Sequence, residues 1–114
     1  MLFRSYFWVD YPSAKRELEI LKVKVPNAAE SLTQQVVDFV HHLRNRDLFK
    51  LPGVAETIDW TNALIQLDKI DLDPETVNSS LGVLLKYQDD IEKIQGSEAA
   101  KILEEVKAGI TAEA

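Results

Sequence analysis

Cysteine is absent from these 114 residues. That excludes disulfides, thiolate nucleophiles and sulfur-ligated zinc within the chain. It also fits a reducing compartment, and a cytoplasmic location is the expectation. Histidine is almost absent: the two residues, His41 and His42, are adjacent. Neighbours on a helix point about 100° apart, so one helix cannot aim both at the same metal ion. No H-x-x-x-H or H-E-x-x-H pattern occurs. Glycine is scarce, at four residues, and none lies in a G-x-x-x-x-G-K-[ST] loop. Hydrolysis of ATP would therefore need residues outside this chain. No apolar run approaches the roughly 20 residues that span a bilayer. The start, MLFRSYFWVDYP, has an early Arg but no apolar signal core and no small-residue cleavage site, so it does not read as a secretory signal. Positive charge is in deficit, with 13 Lys and Arg against 19 Asp and Glu, a net charge of −6. That balance opposes non-specific nucleic-acid binding and attachment to anionic membranes. Neither is expected as a partner.

What is present is globular: 46% hydrophobic and 28% charged residues in one domain's length. A chain of this size buries about two thirds of its unfolded surface and needs no covalent staple. Residues 2–9, LFRSYFWV, alternate weakly, with Phe3, Phe7 and Val9 on one side and Tyr6 and Trp8 on the other. This predicts a strand or extended arm, yet a lone strand is not stable. Either the arm packs on helices, or its sheet lies upstream of Met1.

The remainder reads as helices. Pro12 suits a first turn, and Leu18, Ile20, Leu21 and Val25 supply an apolar face, with Lys15, Arg16, Glu17, Lys22 and Lys24 around it. The first helix is predicted at about 12–24, ended by Pro26. Asn27 and Glu30 resemble a capping box, and Leu32, Val36, Phe39, Val40 and Leu43 recur at helical spacing. They predict a second helix over roughly 28–47, with Arg44 and Arg46 complementing its negative end. Leu48, Phe49 and Leu51 precede the Pro52-Gly53 breaker and are expected to tuck under the bundle. A third helix follows at about 54–69, with Ile58, Leu64, Ile65 and Leu67 as its buried face and Trp60 at the edge. Asp73-Pro74-Glu75 starts a fourth, with the stripe Val77, Leu81, Leu84 and Leu85, continuing to Ile94 with a bend near 86–89. Gly96 breaks it. A last short stripe, Ile102, Leu103 and Val106, lies in a tail expected to fray. The fold class is all-α: a helical bundle of about four main helices, with an extended arm over 1–11 and the helical domain over 12–114.

Candidate chemistry is thin. His41 and His42 read as a solvated helix face, and Asp89, Asp90 and Glu92 as hydrated surface. No catalytic residue is expected, and no metal or cofactor is expected to bind the chain alone. The unusual stretch is Lys50 to Thr57, where a helix start presents free N–H groups that suit an anion, unless Glu56 occupies that spot itself.

Five separated blocks resemble one family. They are Arg4 with the aromatic strand ending VDYP, ELEIL at 17–21, QVVDFVHHLR, LPGVAETIDW, and LDPETV with LGVLLKYQDDI. Over about residues 4–95 the chain resembles the C-terminal helical lid of MoxR-type AAA+ ATPases. The resemblance implies that Tyr6 to Val9 is the last strand of a P-loop core left outside this chain. It implies ATP and Mg in the parent protein, which would be the hydrolase. The implied partners are that core, neighbouring subunits of a ring and a protein with a von Willebrand A domain. The implied role is chaperone-like remodelling or activation of a metalloenzyme. Glu56 falls where AAA+ proteins generally place the sensor-two arginine, a departure that counts against direct phosphate sensing by this helix. Arg4 falls where, in some of these ATPases, an arginine reaches a neighbouring subunit's ATP. The alternative is a free-standing helical protein-interaction module.

Overall fold

Local chemistry sets most of the helix boundaries. The computed structural model describes residues 13–46, 48–69 and 71–113, with side chains through Ala108. Their regular structure is wholly helical: Ala14–Lys24 (α1), Glu30–Leu43 (α2), Val54–Gln66 (α3), Pro74–Leu84 (α4), Gln88–Ile94 (α5) and Ser97–Glu113 (α6). The all-α expectation holds, with six helices among the described residues rather than about four. The arm expected over 1–11 lies outside them.

At α1 the Ser13 hydroxyl accepts the Arg16 N–H and caps the first turn. At α4 Asp73 does the same for Thr76, with Pro74 at the first helical position. The predicted Asn27 cap of α2 is not observed. The Ala28 N–H bonds the Val25 carbonyl, closing a turn over Pro26 and Asn27. The helix therefore begins later, after Ala29, which lends no side-chain cap.

The third helix stops three residues short of its predicted end. Asp68 adopts a left-handed φ of 59°. The Asp68 N–H then reaches the Ile65 carbonyl and the Lys69 N–H the Leu64 carbonyl, the paired bonds of a Schellman motif. The expected bend near 86–89 is a full break. Leu85 is extended, at φ −110° and ψ 131°, and both Leu84 and Leu85 are buried. Gly96, at φ 86°, makes the turn into α6, and its N–H is taken by Asn78 of α4.

The core is centred on α2, flanked by α1 and α6, while α3 packs on α4. Leu32, Val36, Val37, Phe39, Val40 and Leu43 are all fully buried, because neighbours cover more than one side of the helix. Trp60 is a core residue, not an edge residue. Its ring meets Phe39 at 5.4 Å between centroids, and its indole N–H donates to the Ser80 hydroxyl at 2.7 Å. The predicted fraying of the tail is also corrected. Ala99, Ile102, Leu103 and Val106 are buried on one stripe of α6, which packs on α2, α4 and α5. Among the described residues, no helix is long and apolar enough to cross a membrane.

Candidate functional site

The segment 48–53, which leads into α3, is where elements distant in sequence converge. Asp90 lies in the first turn of α5 and shares a face with Ile94, four residues on; both are buried. Its two carboxylate oxygens accept the N–H groups of Phe49 (2.9 Å) and Lys50 (3.2 Å). The sequence reading of Asp90 as hydrated surface is thus corrected. A buried carboxylate is tolerated here because two backbone donors meet it. The partners lie some forty residues upstream, beyond any local pattern.

The other end of the segment is held from α2. Arg44 donates from Nε to the Pro52 carbonyl at 2.8 Å. Its other two nitrogens form a fork on Glu17 of α1, at 2.8 and 2.9 Å. Glu17 is fully buried and the Arg44 side chain is 6% exposed. His41 completes the group, its Nε2 lying 2.9 Å from Glu17 Oε1. With a carboxylate as partner, Nε2 carries the proton. Burial pushes the Glu17 carboxyl up, but the Arg44 guanidinium, the adjacent Thr57 hydroxyl and the His41 ring hold it below its ordinary value. Two expectations change here. Glu17 is not on the polar side of α1, and His41 is not simply solvated. Arg44 also does more than complement a helix dipole, since it joins α1, α2 and the start of α3.

A signal for this group was present in the sequence. Glu17, Leu21 and Val25 are spaced by four, so a glutamate stands on the apolar face of α1. Arg44 stands four residues past Val40 on the buried side of α2. A charge in register with a buried stripe calls for a partner of opposite sign.

Glu56 turns back on its own helix start. Its Oε1 accepts the Gly53 N–H at 2.8 Å, and Oε2 lies 4.0 Å from Lys86 Nζ. Partial burial pushes this carboxyl up, while the Gly53 and Glu56 N–H groups, then Lys86 and Lys50, hold it below its ordinary value. The anion position of the first turn of α3 is thereby filled by the protein's own carboxylate. Arg4, the other candidate, lies outside the described residues.

The hydroxyls nearby are engaged. Thr61 donates to the Thr57 carbonyl within α3, and the Thr57 hydroxyl, 3.0 Å from the Gly53 carbonyl, also lies beside the Glu17 carboxylate. His41 faces Glu17 and Arg44 rather than a hydroxyl. No group of three or more His, Asp or Glu side chains among the described residues is gathered so as to hold a metal ion. The arrangement is suited to fixing a loop between helices, with its polar groups matched to one another.

One feature of the segment departs from the expectation that its apolar residues tuck under the bundle. Leu48 and Leu51 are half-buried, but the Phe49 ring is 76% exposed. It meets Tyr87, itself 52% exposed, at the α4–α5 break. No family model, curated protein or solved structure matches the chain.

Proposed function

We propose that this chain is the helical lid of a MoxR-like AAA+ ATPase. In that reading a P-loop core outside the chain holds Mg-ATP and hydrolyses it. The lid closes over the nucleotide and passes its rotation to the next subunit of a ring. The work done is chaperone-like remodelling or activation of a metalloenzyme, beside a partner with a von Willebrand A domain.

The observation that carries the proposal is where the resembling blocks meet. Glu17 comes from ELEIL, His41 and Arg44 from QVVDFVHHLR, Pro52 and Thr57 from LPGVAETIDW, and Asp90 from LGVLLKYQDDI. These residues form the two clamps on the segment before α3. Blocks that share wording with one family therefore share a structural task in this chain. That task, a rigid link between helices, suits a domain that moves as one body. Glu56 fits less simply. Capping its own helix, it leaves nucleotide contact in the parent to other residues.

Titration calorimetry of the chain with Mg-ATP tests the proposal. The expected result is no binding tighter than about millimolar, since a lid lacks the phosphate loop. A micromolar Kd with this chain alone would contradict it. The rival, a free-standing interaction module, would retain its full activity without any P-loop partner.

A further inference from the structure

The Phe49–Tyr87 pair has the geometry of a cation-recognition corner. The two rings stand at 71° with centroids 6.0 Å apart. They border a groove of about 530 Å³ whose other described lining residues are Gln88 and Asp89. The rings pack edge to face, which leaves exposed ring face beside the groove, and the Asp89 carboxylate on the rim adds negative charge. That is the recognition chemistry for an organic cation.

The corner is held in place. Phe49 is exposed at its ring, but its backbone N–H and that of Lys50 are bound to Asp90, which is 2% exposed. Tyr87 stands at the N-cap of α5, two residues after the extended Leu85 that ends α4. The backbone that carries the Phe49 ring is thus anchored by Asp90, and the ring meets Tyr87 in solvent.

Charges around the corner point the same way. Lys86 is turned to Glu56 at 4.0 Å. Lys93 borders a second hollow, on the Leu48 side of Phe49, together with Asp89 and Asp90. Among the described residues, the groove between the rings is lined by a carboxylate and no cation. Lys50 is exposed on the same segment and weakens the local negative potential without lining the groove. The chain's net charge of −6 adds long-range attraction for a basic partner.

We propose that Phe49, Tyr87 and Asp89 form a docking site for an arginine side chain of a partner protein. The planar guanidinium stacks on one ring face while its N–H groups reach the Asp89 carboxylate; a lysine ammonium lacks the first of these interactions. This inference does not depend on the lid reading, because a free-standing module would use the same corner.

The test is a titration of the 15N-labelled chain, followed by amide shifts, with the peptide acetyl-Gly-Ser-Arg-Ser-Gly-amide. Control peptides carry norleucine or glutamate in place of the arginine. Saturable shifts are expected at Phe49, Lys50, Tyr87, Gln88 and Asp89, with a Kd on the order of millimolar for one isolated side chain. Phe49→Leu and Tyr87→Leu keep apolar bulk at exposed positions and remove the π face. Each should weaken binding at least about threefold, and Asp89→Asn should do the same. Dispersed spectra would show that these variants remain folded. No saturable shift with the arginine peptide would overturn the proposal. Equal shifts with norleucine would reduce the site to an apolar patch, and stronger shifts with glutamate would assign it to the lysines. Full binding by both leucine variants would remove the aromatic corner from the account.

Discussion

Replacing Arg44 with methionine removes one partner of a buried ion pair and leaves the other in place. The fork on Glu17 at 2.8 and 2.9 Å is lost, along with the Nε bond to the Pro52 carbonyl. Glu17, at 0% exposure, is left as a carboxylate facing, among the described residues, His41 and Thr57. Breaking a buried pair in this way costs about 3–5 kcal/mol, and the stranded Pro52 carbonyl accounts for about 1–3 kcal/mol within that range. The pair itself need not be stabilising, because desolvating both charges offsets their attraction. The double variant Glu17→Met/Arg44→Met should therefore recover a large part of the loss, with a coupling energy of about 1–3 kcal/mol. Urea melts read by tryptophan fluorescence give both numbers, since Trp60 is fully buried in the folded state. The single variant should also suffer less in acid, where the stranded carboxyl takes up a proton. A loss under about 1 kcal/mol for Arg44→Met would refute the reasoning, because it lies well below the cost of a buried unpaired charge. So would additive losses in the double variant.

The pH dependence follows from the same group. Glu17 and Glu56 are held below their ordinary value of 4.5, and Asp73 below 3.8. At pH values between the folded and unfolded titrations, the unfolded chain binds more protons, so stability rises with pH there. The contribution is complete above about pH 4.5 and is lost as pH falls through the folded values. Urea midpoints from pH 3 to 7 should show it, and Glu17→Gln should flatten the slope; an unchanged slope would assign the acid sensitivity to other groups. Asp90→Ala should cost about 1–3 kcal/mol and release the Phe49 and Lys50 amides to faster hydrogen exchange; unchanged exchange at both would show that the bonds do not hold the segment. Leu43→Ala and Ile102→Ala should each cost about 2–5 kcal/mol. A loss under 1 kcal/mol at Ile102 would return α6 to the status of a frayed tail.

The helices that announced themselves did so through end chemistry or a clean stripe. Asp73-Pro74-Glu75 marks a start whose residue types leave little choice of backbone. The stripe from Leu32 to Leu43 places α2 without knowledge of its neighbours. The break at Leu85 was less legible, because no Pro or Gly marks it. Leu84 and Leu85 are both buried beside it, and a stripe of leucines reads the same with or without a break. The end of α3 hides for a similar reason, since Asp68 takes a left-handed turn that glycine more often supplies. Trp60 was placed at an edge by its polar N–H, but Ser80 satisfies that group inside the core.

The candidate site was legible only in part. Glu56 was recognised as a residue of the helix start, and the structure shows the cap it makes. Glu17 and Asp90 read as solvated in the sequence because carboxylates usually are. Their partners lie 27 and about 40 residues away, a separation that periodicity does not report. The exposure of Phe49 runs against composition altogether. An aromatic in an apolar loop is expected to turn inward, and here the ring meets Tyr87 in solvent above a backbone tied to Asp90.

The proposal that the chain is a lid is tested most directly by reading the coding DNA upstream of the Met1 codon in its source genome. The account predicts a continuous open frame that encodes G-x-x-x-x-G-K-[ST] ahead of the residues described here, so that the lid follows its own P-loop core. A ribosome-binding site preceded by an in-frame stop codon immediately upstream, with no such motif in the same frame, would contradict it.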